Sequence, residues 1–166
     1  MNALIVYHTI TGHSRRAAED VAEGLAGEGG TARLLLAGEM SQWDLAGVDI
    51  VVVGSPCHAG SLAIRAGVAG PVLRVLNKLT GQALAGIVAG AFAVNSAYGG
   101  HRTVQAIENR LRAAGATVPA MGVVVKAGVP FSLFTGPKAS DKSRDELRQL
   151  GRTLAQAAQA GGGHAK

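Results

Sequence analysis

The segment from Leu4 to Ser14 constrains the fold more than any other stretch of this 166-residue chain. An apolar run ends at Tyr7, hydroxyl side chains, a glycine and two histidines follow, and helix-forming sequence begins at Arg15. This pattern predicts a buried strand, a tight loop and the N-terminus of a helix. The unpaired N–H groups and the dipole of a helix N-terminus attract phosphate groups. The segment therefore predicts a phosphate-binding loop between a strand and a helix.

Six consecutive residues make up the candidate phosphate loop. Two threonines and a serine supply hydroxyl groups, and a glycine lets the chain turn without a Cβ clash. The P-loop lysine and the glycine fingerprint of dinucleotide-binding folds are both absent, which favours a phosphate ester held by neutral groups. An alternative remains open, in which the hydroxyls only cap the helix. The loop consists of Thr9, Ile10, Thr11, Gly12, His13 and Ser14.

Apolar runs alternate with amphipathic stretches along the rest of the chain. The alternation predicts a three-layer, doubly wound α/β fold with five parallel strands. The last helix is expected to open with a capping box formed by Ser143 and Glu146. The predicted strands cover residues 3–7, 31–37, 49–54, 87–94 and 118–127.

Length and composition indicate one globular domain over residues 1–160, with a disordered tail at 161–166. The hydrophobic content of 48% excludes a disordered chain, and no apolar run is long enough to span a membrane. The N-terminus lacks the features of a signal peptide. A single cysteine, Cys57, excludes an internal disulfide and any multi-cysteine metal site. These features predict a cytoplasmic protein with neither a membrane nor a metal site.

The chain is basic, with 16 Lys and Arg against 11 Asp and Glu and a net charge of +5. A basic balance can indicate nucleic acid, an anionic membrane or an acidic protein as partner. The cations are spread over several predicted helices, and no dense basic run is interleaved with aromatic residues. We therefore expect an acidic protein partner and no nucleic acid.

Three loops are predicted to meet at one edge of the sheet. Right-handed crossovers bring the loops after strands one, three and four to the carboxyl edge, near the point where the strand order reverses. These loops, at residues 8–14, 55–61 and 95–101, are the junctions richest in glycine and polar residues. They predict a shared ligand site.

The three loops, in this order, resemble those of the flavodoxin family. Residues Thr9 to Ser14 match the family's T/S-x-T-G-x-T phosphate loop, with a serine in place of the last threonine. The segments 49–56 and 95–100 match in spacing, and the resemblance extends from residue 2 to about residue 158. It implies the strand order 2-1-3-4-5 and a bound FMN.

The resemblance also implies which residues would bind FMN. The phosphate loop would hold the phosphate, and the two other loops would flank the isoalloxazine ring. No catalytic residue is assigned, because the flavin supplies the chemistry in such proteins. The flanking residues are Pro56, Cys57, His58, Ala59 and Gly60 in one loop, and Asn95, Ser96, Ala97, Tyr98, Gly99 and Gly100 in the other.

Two features depart from the family pattern. His58 stands where many flavodoxins have a large aromatic residue, which leaves Tyr98 as the stacking aromatic. Flavodoxins that carry electrons are typically acidic, but segments 55–70 and 95–103 contain no carboxylate. We hypothesise that the second reduction potential of the flavin is therefore less negative here. Cys57 is open to two interpretations, a packing role or a chemical one.

The implied function is transfer of electrons between a reductase or ferredoxin and an acceptor. The first alternative is an FMN-dependent NAD(P)H:quinone reductase, resembling the tryptophan-repressor-binding-protein group, although the chain has no obvious long insertion for a substrate pocket. The second is a flavodoxin-like interaction domain without flavin. A phospho-receiver domain is excluded, since it requires acidic residues where the chain has His8 and Gly54.

Overall fold

The computed structural model describes residues 1–57, 67–95, 99–126 and 140–162. These residues form five strands, four α-helices and one short 3-10 helix. In chain order the elements are β1 (Asn2–Tyr7), α1 (His13–Ala26), β2 (Thr31–Leu36), the 3-10 helix (Gln42–Leu45), β3 (Ile50–Pro56), α2 (Gly70–Lys78), β4 (Val88–Asn95), α3 (Gly100–Ala113), β5 (Val123–Lys126) and α4 (Asp141–Gly162).

All five strands are parallel and lie in the order β2-β1-β3-β4-β5. This confirms the doubly wound α/β fold and its strand order. The chain winds outward from β1 to β2 and then crosses β1 to reach β3, so the direction of winding reverses between β1 and β3. In such sheets ligands bind beyond the carboxyl ends of the strands at this reversal.

Both faces of the sheet are apolar because helices cover both. In β1, Leu4 and Val6 belong to the core shared with α2 and α3, whereas Ile5 between them belongs to the core shared with α1 and α4. All three side chains are fully buried. A strand buried on both faces reads as a continuous apolar run rather than an alternating one.

Helices α1 and α4 pack with unusually close backbones. A Cβ atom on Gly24 would lie 2.1 Å from the carbonyl oxygen of Arg148, and one on Gly151 would lie 2.3 Å from that of Val21. Arg144 donates a 3.1 Å hydrogen bond to the buried carboxylate of Asp20 across the same interface. The two glycines thus set the distance between the helices, and the ion pair links them near one end of the contact.

The connection from β2 to β3 contains only the 3-10 helix. Asp44 accepts hydrogen bonds from the backbone N–H of Ser41 and from Arg33, both at 2.7 Å. These hydrogen bonds, first that from the Ser41 N–H and then that from Arg33, hold the pKa of Asp44 below its usual value. These contacts attach the connection to β2.

Strand β5 is shorter than the sequence predicts. An isolated parallel bridge joins Thr117 to Val88, but continuous pairing with β4 begins at Val123 and not at residue 118. Ahead of it, the N–H of Gly122 donates to the buried carboxylate of Glu108 at 2.6 Å, so a side chain takes the place of a strand partner. A Cβ on Gly122 would lie 2.2 Å from the carbonyl oxygen of Ala91. Pro119 also lacks an N–H for pairing.

The predicted start of the last helix is wrong by three residues. Ser140, not Ser143, lies at the cap position, and its Oγ accepts a 3.2 Å hydrogen bond from the N–H of Ser143. A serine does cap the helix, but it is Ser140, about one turn ahead of the predicted cap. At its other end α4 extends through Gly162, two residues into the expected tail, and residues 163–166 lie outside the described part.

Within the described residues, none of the helices has the length and apolar character needed to cross a membrane. The same part of the chain contains no group of three or more His, Cys, Asp or Glu arranged to hold a metal ion.

Candidate functional site

The first loop closes on itself between β1 and α1. Gly12 adopts a left-handed conformation with φ of 84°, and its N–H donates a 2.9 Å hydrogen bond to Oγ1 of Thr9. The N–H of His8 donates to the carbonyl oxygen of Gly54 at 3.2 Å and so holds the start of the loop against β3. The loop is therefore fixed at both ends, at the reversal point of the sheet.

The start of α1 has no side-chain cap from any described residue. The first helical hydrogen bond runs from the N–H of Arg16 to the carbonyl oxygen of Gly12, at 3.1 Å. The N–H groups of His13, Ser14 and Arg15 lie ahead of it, at the positive end of the helix dipole. The threonine and serine hydroxyls do not serve as helix caps, so the helix end is open to an anion.

Helix α3 begins in the same way at the end of β4. Gly99 is left-handed, with φ of 92°, and among the described residues no side chain caps the helix. The N–H of Thr103 donates to the carbonyl oxygen of Gly99 at 3.0 Å. A Cβ on Gly100 would lie 2.4 Å from Cγ1 of Val124, which explains the second glycine of the pair.

The chain leaves the sheet after β3 and returns to the same place. The N–H of Ala69 donates a 2.9 Å hydrogen bond to Oγ of the buried Ser55, and Cys57 forms an isolated antiparallel bridge with Val68. The N–H of Cys57 also donates to the carbonyl oxygen of Val94 at 2.7 Å. The base of the second loop is thereby attached to both β3 and β4.

The thiol of Cys57 packs between two other loops. A Cβ atom on Gly99 would lie 3.0 Å from Sγ, and one on Gly67 would lie 3.1 Å from it. Both glycines have positive φ angles. Cys57 therefore joins the base of the second loop to the start of α3, which supports the packing interpretation of this cysteine.

Asn95 ends β4 with an unsatisfied polar atom. The side chain is only 5% exposed, and its Oδ1 has no hydrogen-bond partner among the described residues. Leaving a buried acceptor unpaired costs about 1–3 kcal/mol. An acceptor of this kind, at the carboxyl edge beside the α3 glycines, fits a site completed by a ligand that donates a hydrogen bond.

The structure brings together eleven of the predicted site residues and leaves the other six outside the described part. The first loop is at the end of β1, where Ile10 is 69% exposed and Ser14 is buried. The first loop is bonded to β3 through His8 and Gly54, and the bases of the second and third loops are bonded through Cys57 and Val94. The residues outside the described part are His58, Ala59, Gly60, Ser96, Ala97 and Tyr98.

Three residues that position these loops were not in the predicted set. Ser55 holds the returning chain, Gly67 makes room for the thiol of Cys57, and Oγ1 of Thr103 donates to the carbonyl oxygen of Gly99 at 3.2 Å. A hydroxyl residue near the end of an otherwise apolar strand could have indicated the role of Ser55. The contact of Gly67 with Cys57 joins residues ten positions apart and left no local signal, whereas the bond of Thr103 to Gly99 spans only four positions.

Comparisons with known proteins agree with this geometry. A family model described as Flavodoxin matches residues 5–133. A flavodoxin from Aquifex aeolicus (strain VF5) is 30% identical over 163 residues, covering 92% of this chain and 84% of that protein.

Solved structures show the same fold at lower identity. A flavodoxin from the domain Archaea has a TM-score of 0.74 at 18% identity, covering 96% of this chain and 99% of its own. Rubredoxin oxygen:oxidoreductase from Desulfovibrio gigas has a TM-score of 0.78 at 21% identity, and the match spans 96% of this chain but 36% of that protein. On the family model and the Aquifex relative, this chain belongs to the flavodoxin family, whose members bind FMN.

Proposed function

We propose that this FMN-type redox protein is an electron carrier, which exchanges electrons with a reductase or ferredoxin on one side and an acceptor on the other. The open start of α1 carries the proposal, because the hydroxyls beside it do not serve as caps and its first N–H groups precede the helical bonds. A phosphate is the group that such a helix end binds best.

In this proposal, the N–H groups of the first turn of α1 and the hydroxyls of Thr9, Thr11 and Ser14 hold the phosphate of FMN. Neutral donors suffice, because the helix dipole supplies the favourable potential. FMN, when bound, accepts and donates one or two electrons. The left-handed Gly12 makes the turn that joins the loop to the start of α1.

The second and third loops would hold the flavin ring. Oδ1 of Asn95 is the buried acceptor available to an N–H of the ring, and the ring would lie between residues 56–60 and residues 95–100. Cys57 and Ser55 act as positioning residues, since they keep the bases of these loops together. We favour a carrier over a reductase because the chain has no obvious long insertion that would build a substrate pocket.

We also propose that the redox partner carries an acidic surface, as a ferredoxin or a reductase can, because the chain has a net charge of +5. A cytoplasmic location is consistent with the single cysteine.

A titration with FMN tests the proposal. We expect stoichiometric binding with shifted flavin absorbance bands and quenched flavin fluorescence. The loaded protein is then mixed with NADPH and a soluble quinone, with and without a ferredoxin reductase. Turnover that requires the reductase supports the carrier, and failure to bind tens of micromolar FMN would instead favour an interaction domain without flavin.

An NAD(P)H:quinone reductase is the second candidate, favoured by exposed cations on the first turns of α1 and α3, which would attract an anionic nicotinamide cofactor. Oxidation of NADPH by the loaded protein alone, at a rate unaffected by added reductase, would establish this candidate and exclude the carrier.

A further inference from the structure

A cavity of about 720 Å³ lies between the end of α2 and the connection from β2 to β3. Helix α2 starts beyond the carboxyl end of β3 and ends before β4 begins at Val88, so its last turn lies toward the amino edge of the sheet. The candidate flavin site is at the carboxyl edge. The cavity is therefore separate from that site, and its volume is typical of a pocket for a small molecule.

The cavity arises because one crossover of the sheet lacks a full helix. The other three crossovers contain α1, α2 or α3, whereas the connection from β2 to β3 contains only the four-residue 3-10 helix. Met40, Leu45 and Leu79 line the cavity and are only partly buried, although they pack against the core shared by α2 and α3. An apolar group in the cavity would complete the burial of these side chains, which is favourable.

The polar part of the lining is positively charged. Among the described lining residues, Lys78 alone carries a charge, and it forms no ion pair with another residue of the described part. The neighbouring Asn77 accepts a hydrogen bond from Arg110 through its Oδ1, which brings a second cation to the wall of the cavity. The carboxyl end of a helix carries a charge of about −0.5, which these two cations outweigh.

The carboxylate beside the cavity is already neutralised. Ser41 lines the cavity, and its N–H and hydroxyl donate to Asp44. Asp44 in turn pairs with Arg33 at 2.7 Å. Lys78 therefore remains available to an anion from solvent.

The two helices on this face of the sheet strengthen the positive potential. Together α2 and α3 contain five lysine and arginine residues and one acidic residue, Glu108. That carboxylate is buried, and it binds Arg112 and the N–H of Gly122. An anion is attracted to such a surface, and a cation is repelled. The five basic residues are Arg74, Lys78, Arg102, Arg110 and Arg112.

We infer that this cavity is a second ligand site, which binds a medium-chain carboxylate. Lys78 contacts the carboxylate group, and Met40, Leu45 and Leu79 contact the hydrocarbon chain. Apolar walls with a few polar groups that fix the orientation of the ligand are the usual composition of a small-molecule site. The inference goes beyond the proposed redox function, because it concerns the other edge of the sheet and requires no flavin.

Titration of isotope-labelled protein with octanoate, followed through the amide resonances in NMR spectra, tests the inference. Octanol and octylammonium have the same chain and differ in charge. We expect octanoate to shift the resonances of Ser41, Lys78 and Thr80 saturably, and to bind at least about tenfold more tightly than octylammonium. Octanoate that binds without saturation, or no more tightly than octylammonium, overturns the inference.

The variant Lys78→Gln separates charge from packing. It should weaken octanoate binding by about fivefold and leave octanol binding within about twofold. The control is Arg74→Gln, an exposed cation one turn earlier in α2 that also has no ion pair in the described part. Its Nη1 would lie 3.8 Å from a Cβ on Gly70, so it points toward the start of the helix. An equal effect of the two variants on octanoate, or of Lys78→Gln on octanoate and octanol, overturns the role of Lys78.

The variant Ala83→Trp tests the location. Ala83 is exposed and lines the cavity, so an indole at this position should fill it and abolish binding of octanoate and octanol alike. Unchanged binding would place the ligand elsewhere. If this variant does not fold, Lys78→Gln still decides the question.

The two proposals fail separately. The octanoate titration is carried out with and without saturating FMN, and we expect affinities that agree within about twofold because the sites lie at opposite edges of the sheet. Competition between octanoate and FMN would overturn the second site. If the protein binds no FMN, the proposed function fails, and octanoate binding to the FMN-free protein still tests the cavity.

Discussion

Two left-handed glycines, one in the candidate site and one outside it, allow the role of backbone conformation in the site to be tested. Gly12 begins α1 with φ of 84°, and Gly29 follows the end of the same helix with φ of 78°. Neither has a described atom within 4 Å of an added Cβ, so a methyl group at either position meets backbone strain and no clash. The pair is therefore matched in backbone conformation and in free space, and only Gly12 lies in the candidate phosphate loop.

We predict that Gly12→Ala and Gly29→Ala each lower the free energy of unfolding by about 1 kcal/mol, the cost of placing an L-residue in the left-handed region. Only Gly12→Ala should also weaken FMN binding, by about tenfold, because the loop must relax away from its phosphate-binding conformation. Urea denaturation and FMN titration of both variants measure the two effects. Equal FMN affinities would mean that the loop does not hold the phosphate.

Asn95 offers the second prediction at this scale. Replacing it with leucine removes the unsatisfied Oδ1, so Asn95→Leu should raise the stability of the FMN-free protein by about 1 kcal/mol and reduce the stabilisation that FMN confers. Thr103→Val is the control, because its hydroxyl has a partner and its loss should cost about 1 kcal/mol. Thermal unfolding of both variants with and without FMN measures these changes in stability. Destabilisation by Asn95→Leu without FMN would contradict the prediction.

Among the elements, α1 and α4 pack closely because each has a glycine where the other helix approaches. Gly24 and Gly151 let the two backbones meet, and the salt bridges of Asp20 and Glu23 with α4 lie beside them. The candidate phosphate loop precedes α1, so the packing of α1 against α4 also determines where that loop lies relative to β1 and β3.

We predict that Gly151→Ala lowers the free energy of unfolding by about 3 kcal/mol, since its Cβ would lie 2.3 Å from a backbone oxygen of α1 and the helices would have to separate. Gly161→Ala, in the same helix but with nothing described within 4 Å, should raise it by up to about 0.5 kcal/mol through helix propensity. Urea denaturation compares them. A loss below about 1 kcal/mol for Gly151→Ala would show that the interface adjusts easily.

For the whole molecule, the uneven distribution of charge has a thermodynamic consequence. Reduction adds negative charge to a flavin, and segments 55–70 and 95–103 contain no carboxylate to oppose it, while Lys126 pairs with Asn95 at the end of β5. An acidic edge would oppose it.

We therefore predict that Lys126→Glu makes the second reduction potential of bound FMN more negative by a few tens of millivolts. Reversing one charge close to such a site changes its interaction with the added electron by on the order of 1 kcal/mol in a medium between protein and water. Arg152→Glu on α4 should leave the potential nearly unchanged. Spectroelectrochemical titration of the loaded proteins decides between these outcomes, and equal shifts in both variants would rule out a local effect at the carboxyl edge of the sheet.

Much of the fold was predictable from local sequence because burial on both faces leaves a strong signal. The runs ending at Tyr7 and Gly54 are apolar and β-branched, and they became β1 and β3 as expected. The predicted starts of β5 and α4 were wrong because a side chain binds a backbone N–H at each place. The carboxylate of Glu108 binds the N–H of Gly122 and delays β5, and the hydroxyl of Ser140 caps α4 in place of Ser143.

By itself the sequence determined the order of strands and helices, the candidate phosphate loop and the absence of carboxylates from segments 55–70 and 95–103. Those properties depend on residue type and on neighbours within a few positions. Only the tertiary structure decided that the loop hydroxyls leave the start of α1 uncapped, that Cys57 packs between Gly67 and Gly99, and that Oδ1 of Asn95 is buried without a described partner. The packing of Cys57, for example, depends on residues 10 and 42 positions away in sequence, and only the folded chain brings such residues into contact.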